Sequence, residues 1–136
     1  MDFEKLYIGG QWTAGASGRF IEVENPATRQ IFARVPAGNE EDVDKAARAA
    51  HKALPAWAAL PLTERINLME KFLAIFKSQE NDLIDITIKE LGSPYSFTKS
   101  SQVEYQYVRT RSYIDLAPKV PLVEKMAYST TYREPV

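Results

Sequence analysis

Between Asn39 and Leu116 the chain carries four successive runs in which apolar residues recur at three- and four-residue steps, each stopped by proline or glycine or by a fresh helix start. That period puts the apolar residues of each run on one side of an α-helix, so more than half of the 136 residues are committed to helices that each need to bury a face. The first run opens at Asn39, whose side-chain oxygen can accept from the free amides of a helix start. Glu40, Glu41 and Asp42 follow in the first turn, where the dipole favours negative charge. Val43, Ala46, Ala47, Ala50, Leu54 and Trp57 form its stripe, and Pro55 is expected to kink or end it, with the boundary within 54–59. The second opens near Thr63. Ile66, Met69, Leu73 and Phe76 share one side, and Leu68, Phe72 and Ile75 widen the stripe toward a fully buried segment. The third follows Ser78 with Leu83, Ile84, Ile86 and Ile88, and ends at Leu91, because Gly92 suits a left-handed stop and Pro94 lies beyond. The last spans roughly Thr98 to Leu116 with Val103, Tyr107, Thr110 and Ile114 on one face, before Pro118 and Pro121.

Strands precede the helices. Leu6–Ile8 and Gln11–Thr13 flank Gly9-Gly10, a pair that can take positive φ at both centres of a tight hairpin turn. After a loop from Ala14 to Gly18, Phe20 to Glu24 alternates and stops at Asn25-Pro26, and a further strand from Ile31 to Val35 ends at Pro36. Tyr128 to Tyr132 alternates again as an edge strand, and the chain halts at Pro135-Val136, which reads as an unfinished end. The fold class is an α+β fragment with an N-terminal β-hairpin and short strands plus three to four helices.

Lys plus Arg number 17 and Asp plus Glu 18, a net charge of -1, so there is no positive excess to recruit nucleic acid or an anionic membrane; neither partner is expected. The N-terminal MDFEKLYIGG lacks the apolar core of a signal peptide, and no run of about 18 apolar residues exists to span a bilayer, which leaves a cytoplasmic location as the expectation. The chain has no cysteine, hence no disulfide, no thiolate metal site and no Cys nucleophile.

Reacting groups are hard to find. His51, the single histidine, has no metal or catalytic partner at helical spacing and reads as a surface residue. Gly15-Ala16-Ser17-Gly18 lacks phosphate-loop spacing and reads as a plain loop. Glu40, Glu41, Asp42 and Asp44 are explained by the helix start. Tyr105, Tyr107, Tyr113, Tyr128 and Tyr132 with Arg109, Arg111 and Arg133 could stack on bases, but the neutral charge balance favours packing and interface roles.

LYIGGQW, ENPAT, the long stretch from VPAGNEEDVDKAARAAHKALPAW to LTERINLMEKFL, KELGSP and YREPV follow one another along nearly the whole chain. In that order they resemble the N-terminal landmarks of the NAD(P)-dependent aldehyde dehydrogenases. One departure is Arg29-Gln30, where the family usually carries Gly-Glu or Gly-Lys, a difference that bears on turn geometry.

The resemblance implies a parent several times longer, with a Rossmann-like α/β cofactor domain, a catalytic domain and a β-strand oligomerisation arm. Residues 1–120 would be the N-terminal part of the cofactor-binding domain, and 121–136 the truncated start of the arm, leading into the Gly-Val start of the first parallel strand. The family chemistry is thiolate attack on the aldehyde, hydride transfer to nicotinamide and thioester hydrolysis. The Cys, Glu, Asn, Lys and Gly residues that carry it lie beyond this segment, so no catalytic or cofactor-binding residue is assigned, and NAD or NADP is not expected to bind this chain alone. Many members hold a monovalent cation by backbone carbonyls before the Asn-Pro turn and an acid before the helix-ending Gly; here the matching positions are Val23, Glu24 and Glu90.

Two functions from different classes follow. The first is the N-terminal segment of an aldehyde dehydrogenase, inactive alone and expected to self-associate or to bind the remainder of the enzyme, with stripes such as Ile66, Leu73 and Phe76 seeking cover. The second is a non-catalytic helical interaction module that pairs through its exposed final strand.

Overall fold

The computed structural model describes residues 3–121 and 123–133. Met1 and Asp2, at the head of the leader reading, and Glu134, Pro135 and Val136, at the end of YREPV, lie outside the described residues. The elements run β1 (Leu6–Ile8), β2 (Gln11–Thr13), β3 (Phe20–Asn25), β4 (Gln30–Pro36), α1 (Glu40–Ala59), α2 (Leu62–Ser78) and α3 (Glu80–Leu91). A short turn α4 (Tyr95–Phe97), a π-helical segment (Thr98–Glu104), α5 (Tyr105–Leu116), a 3-10 turn, β5 (Val123–Lys125) and β6 (Thr130–Tyr132) complete the order.

The strands form three separate antiparallel pairs, β1 with β2, β3 with β4 and β5 with β6. Gly9 and Gly10 take φ of 61° and 83°, which closes the first hairpin in two residues. The β3–β4 turn is built by Asn25, whose side-chain oxygen accepts from the Ala27 amide at 2.9 Å, and by Arg29, which sits in the left-handed region at φ 59°. That is the position at which the sequence departs from Gly.

Helix α1 has the predicted Asn39 cap and, beyond it, a reciprocal bond that makes a capping box. Asp42 donates its amide to Asn39 Oδ1 at 3.2 Å, and its carboxylate accepts the Asn39 amide at 3.1 Å. Pro55 does not end the helix. Its missing amide removes one hydrogen bond, and the helix runs a further turn to stop at Ala59. Helix α3 stops where predicted, with Gly92 at φ 65° and its amide donating to the Ile88 carbonyl. A Cβ at Gly92 would lie 2.7 Å from Pro26 Cγ, so this glycine also lets the end of α3 close on the β3–β4 turn.

The core takes one apolar residue from each of four helical segments: Leu73 of α2, Ile84 of α3, Val103 of the π-segment and Ile114 of α5. The stripe predicted for the last helix is buried or half-buried as expected. Two stripes come out differently. Leu73 does not seek cover, being 1% exposed, and Ile66 and Phe76 are half-buried; the uncovered face of α2 is Leu68, Phe72 and Ile75. The face sits there because α3 and α5 both pack on the Leu73 side of α2. On α1 the apolar stripe is open along its length, with Val43 67% and Trp57 39% exposed, since the helix touches mainly β1.

Sequence reading placed one final strand at Tyr128 to Tyr132. The structure pairs Thr130–Tyr132 with Val123–Lys125, a partner hidden by the prolines around it.

Candidate functional site

Each candidate group has a local explanation or a place in the frame. Asp42 is buried, and beyond the cap both its oxygens accept the Ala16 amide, at 3.0 and 3.1 Å. It therefore ties the Ala14–Gly18 loop to the start of α1, and this glycine-bearing loop is held by a carboxylate, the wrong charge to welcome phosphate. His51 is exposed on α1. No group of three or more His, Cys, Asp or Glu that could hold a metal occurs among the described residues. Arg111 makes a forked ion pair from α5 to Glu70 of α2, and Arg133 reaches Glu124 across the last hairpin at 2.8 Å, so two of the three arginines placed near tyrosines are occupied by carboxylates. The hydrogen bond from Arg111 lowers the Glu70 pKa against the opposing push of burial, and the Glu70 bond raises that of Arg111.

Val23 and Glu90 do meet: both line a small cavity of about 80 Å³ between the β3–β4 pair and α3, with Phe32 and Ile86 among its apolar walls. The register of the pair slips between Val23 and Glu24, where Phe32 of β4 is the residue left without a partner; Val23 and Glu24 themselves stay in register with Ala33 and Ile31. The Glu24 carboxylate turns instead to Arg29 at 2.9 Å, so Glu24 can contribute only its backbone. Glu24 is not among the residues that line the cavity.

Sequence reading missed Arg65. It lines a larger groove of about 360 Å³ with Trp57, Leu62, Met69, Tyr113 and Ala117, where the end of α1 meets α2 and α5. Its Nε is out of solvent with no hydrogen-bond partner. The signal was a lone cation one residue before Ile66 of the apolar stripe, which reads in sequence as an ordinary helix-face charge.

Residues 12–136 match the model of the aldehyde dehydrogenase family. The chain belongs to that family. It is 41% identical over 105 residues, 77% of its length, to a Staphylococcus epidermidis protein assigned as an aldehyde dehydrogenase, and 40% identical over 91 residues, 67% of its length, to malonate-semialdehyde dehydrogenase 1 of Geobacillus kaustophilus. Those matches cover 22% and 19% of the relatives, so the chain spans about a fifth of their length. An aldehyde dehydrogenase of Pseudomonas syringae, solved with NAD+ and octanal, superposes over 98% of this chain and 27% of its own, with a TM-score of 0.90 at 28% identity. A second, from Bartonella henselae, covers 94% and 27%, with a TM-score of 0.87 at 26% identity. The α+β fragment with its hairpins and helices is thus an arrangement found within solved aldehyde dehydrogenases.

Proposed function

We propose that this chain is the N-terminal scaffold of an NAD(P)-dependent aldehyde dehydrogenase and is inactive alone. The observation that carries the reading is its surface. A self-contained chain of 15.4 kDa would expose about 7,200 Å², whereas this one exposes 10415 Å². The open faces of α1 and α2 belong to a structure that continues elsewhere. They would serve an independent interaction module too, but the family match from residue 12 to residue 136 favours the scaffold. In the parent, residues 1–120 would brace the cofactor domain and 121–136 begin the oligomerisation arm. Thiolate chemistry requires a cysteine, and this chain has none.

Left alone, the open faces promote self-association. Val23 and Glu24 offer carbonyls and Glu90 a carboxylate to a monovalent cation, which would pin the end of α3 to β3 as a structural tie. The role predicts a higher melting temperature in potassium or sodium chloride than in choline chloride, and no such difference in Glu90→Gln.

The direct test of the scaffold reading is a graft: residues 1–136 joined to the downstream part of the Staphylococcus epidermidis relative. The graft is expected to fold and to oxidise an aldehyde with NAD or NADP, while the isolated chain does not. An inert graft, or turnover by the isolated chain, would reject it.

A further inference from the structure

We propose that the groove between α1, α2 and α5 seats a carboxylate-bearing segment from the downstream part of the parent dehydrogenase, with Arg65 as its anchor. The inference rests on the scaffold reading and adds a contact to it. Arg65 Nε has lost water without gaining an acceptor, and although the Arg65 amide donates to the Pro61 carbonyl at 3.1 Å, its Nε finds no partner among the described residues. A buried donor left in that condition is unfavourable, and native proteins almost always satisfy such groups.

The groove holds two hydroxyls, those of Thr110 and Tyr113, but Arg65 Nε bonds to neither. The walls are mainly apolar, and Glu70, the nearby carboxylate one turn beyond Ile66 on α2, is engaged by Arg111. A guanidinium among apolar walls fits a planar carboxylate held by two parallel N–H bonds, flanked by apolar side chains that fill against Trp57 and Met69. A source for it exists by length. The chain spans about a fifth of its relatives, and its exposed area exceeds that of a closed fold by about 3,000 Å².

Arg65→Gln and Arg65→Lys, each placed both in the isolated chain and in the graft to the Staphylococcus epidermidis relative, test the contact by thermal melting. Arg65→Gln should lower the midpoint of the graft by at least about 2 °C and leave the isolated chain unchanged or more stable, because there the guanidinium has no partner to lose and an unsatisfied donor is removed. Arg65→Lys should recover part of the loss in the graft, which a purely space-filling role would not require. Equal shifts in both proteins, or none in either, overturn the proposal. So does an isolated chain that sediments as a dimer which Arg65→Gln dissociates, since a second copy would then occupy the groove. A graft that fails to fold or turn over with Arg65 intact rejects the scaffold reading as well, and so separates the two failures.

Discussion

Two left-handed residues set opposite demands. Gly92 holds φ 65° with Pro26 close against it, and Gly92→Ala should destabilise by about 1–2 kcal/mol for the backbone alone, with more for the displaced proline. Arg29 holds φ 59° with a Cβ to accommodate, and its side chain is compensated by an exposed ion pair to Glu24. Arg29→Gly should therefore stabilise by about 0.5–1 kcal/mol, the relieved strain outweighing the greater freedom of glycine in the unfolded chain. Urea denaturation of the two variants checks both signs, and a destabilised Arg29→Gly would mean that the ion pair outweighs the strain. Gly92 was legible from sequence as a helix stop, because glycine followed by proline is a local signal. Its second role was not legible, since Pro26 lies 66 residues away in the chain. Asp42 was read as a dipole partner, and its hold on Ala16 depends on a loop packing that no local pattern encodes.

Local periodicity specified the helices well at the level of whole elements. The start of α1 and the stop of α3 follow from a cap and from punctuation, which act within one turn. The π-segment at Thr98–Glu104 escaped, because its wide turn brings Thr98 and Val103 both into the interior, a demand of packing rather than of the residues themselves. Burial escaped for a related reason: a stripe tells which residues share a face and not whether another element covers it. Where α2 and α5 are joined by Glu70 and Arg111, the contact should depend on pH. The folded Glu70 pKa lies below its ordinary value, so the stabilisation is fully present above the usual carboxylate pKa of about 4.3 and is lost as pH falls through the lowered folded value. The difference in urea midpoint between the unmodified chain and Glu70→Gln should shrink over that acid window. A constant difference down to the lowest pH would remove the ion pair from the account. Both groups are partly open to solvent, so added salt should also reduce the effect.

For the molecule as a whole, burial falls short of what a closed fold requires. Leu73, Ile84, Val103 and Ile114 form the buried hydrophobic core among the described residues, while Phe72 and Ile75 stand 51% and 59% exposed on α2. Exposed apolar surface on that scale marks a site of association. The isolated chain is predicted to bind a hydrophobic dye and to sediment with a mass that rises with concentration; a strictly monomeric profile without dye binding would show that the helices close on themselves. The family was legible from sequence because its landmarks are turn and cap motifs spread along the chain. The site chemistry was not: no residue of the sequence was assigned a catalytic or cofactor-binding role, and among the described residues no group of three or more His, Cys, Asp or Glu could hold a metal.

Isothermal titration of NAD into the isolated chain tests the central claim most directly, because a scaffold that braces a cofactor domain should not itself hold the cofactor. The account predicts no binding heat beyond dilution. Saturable binding at one NAD per chain would contradict it.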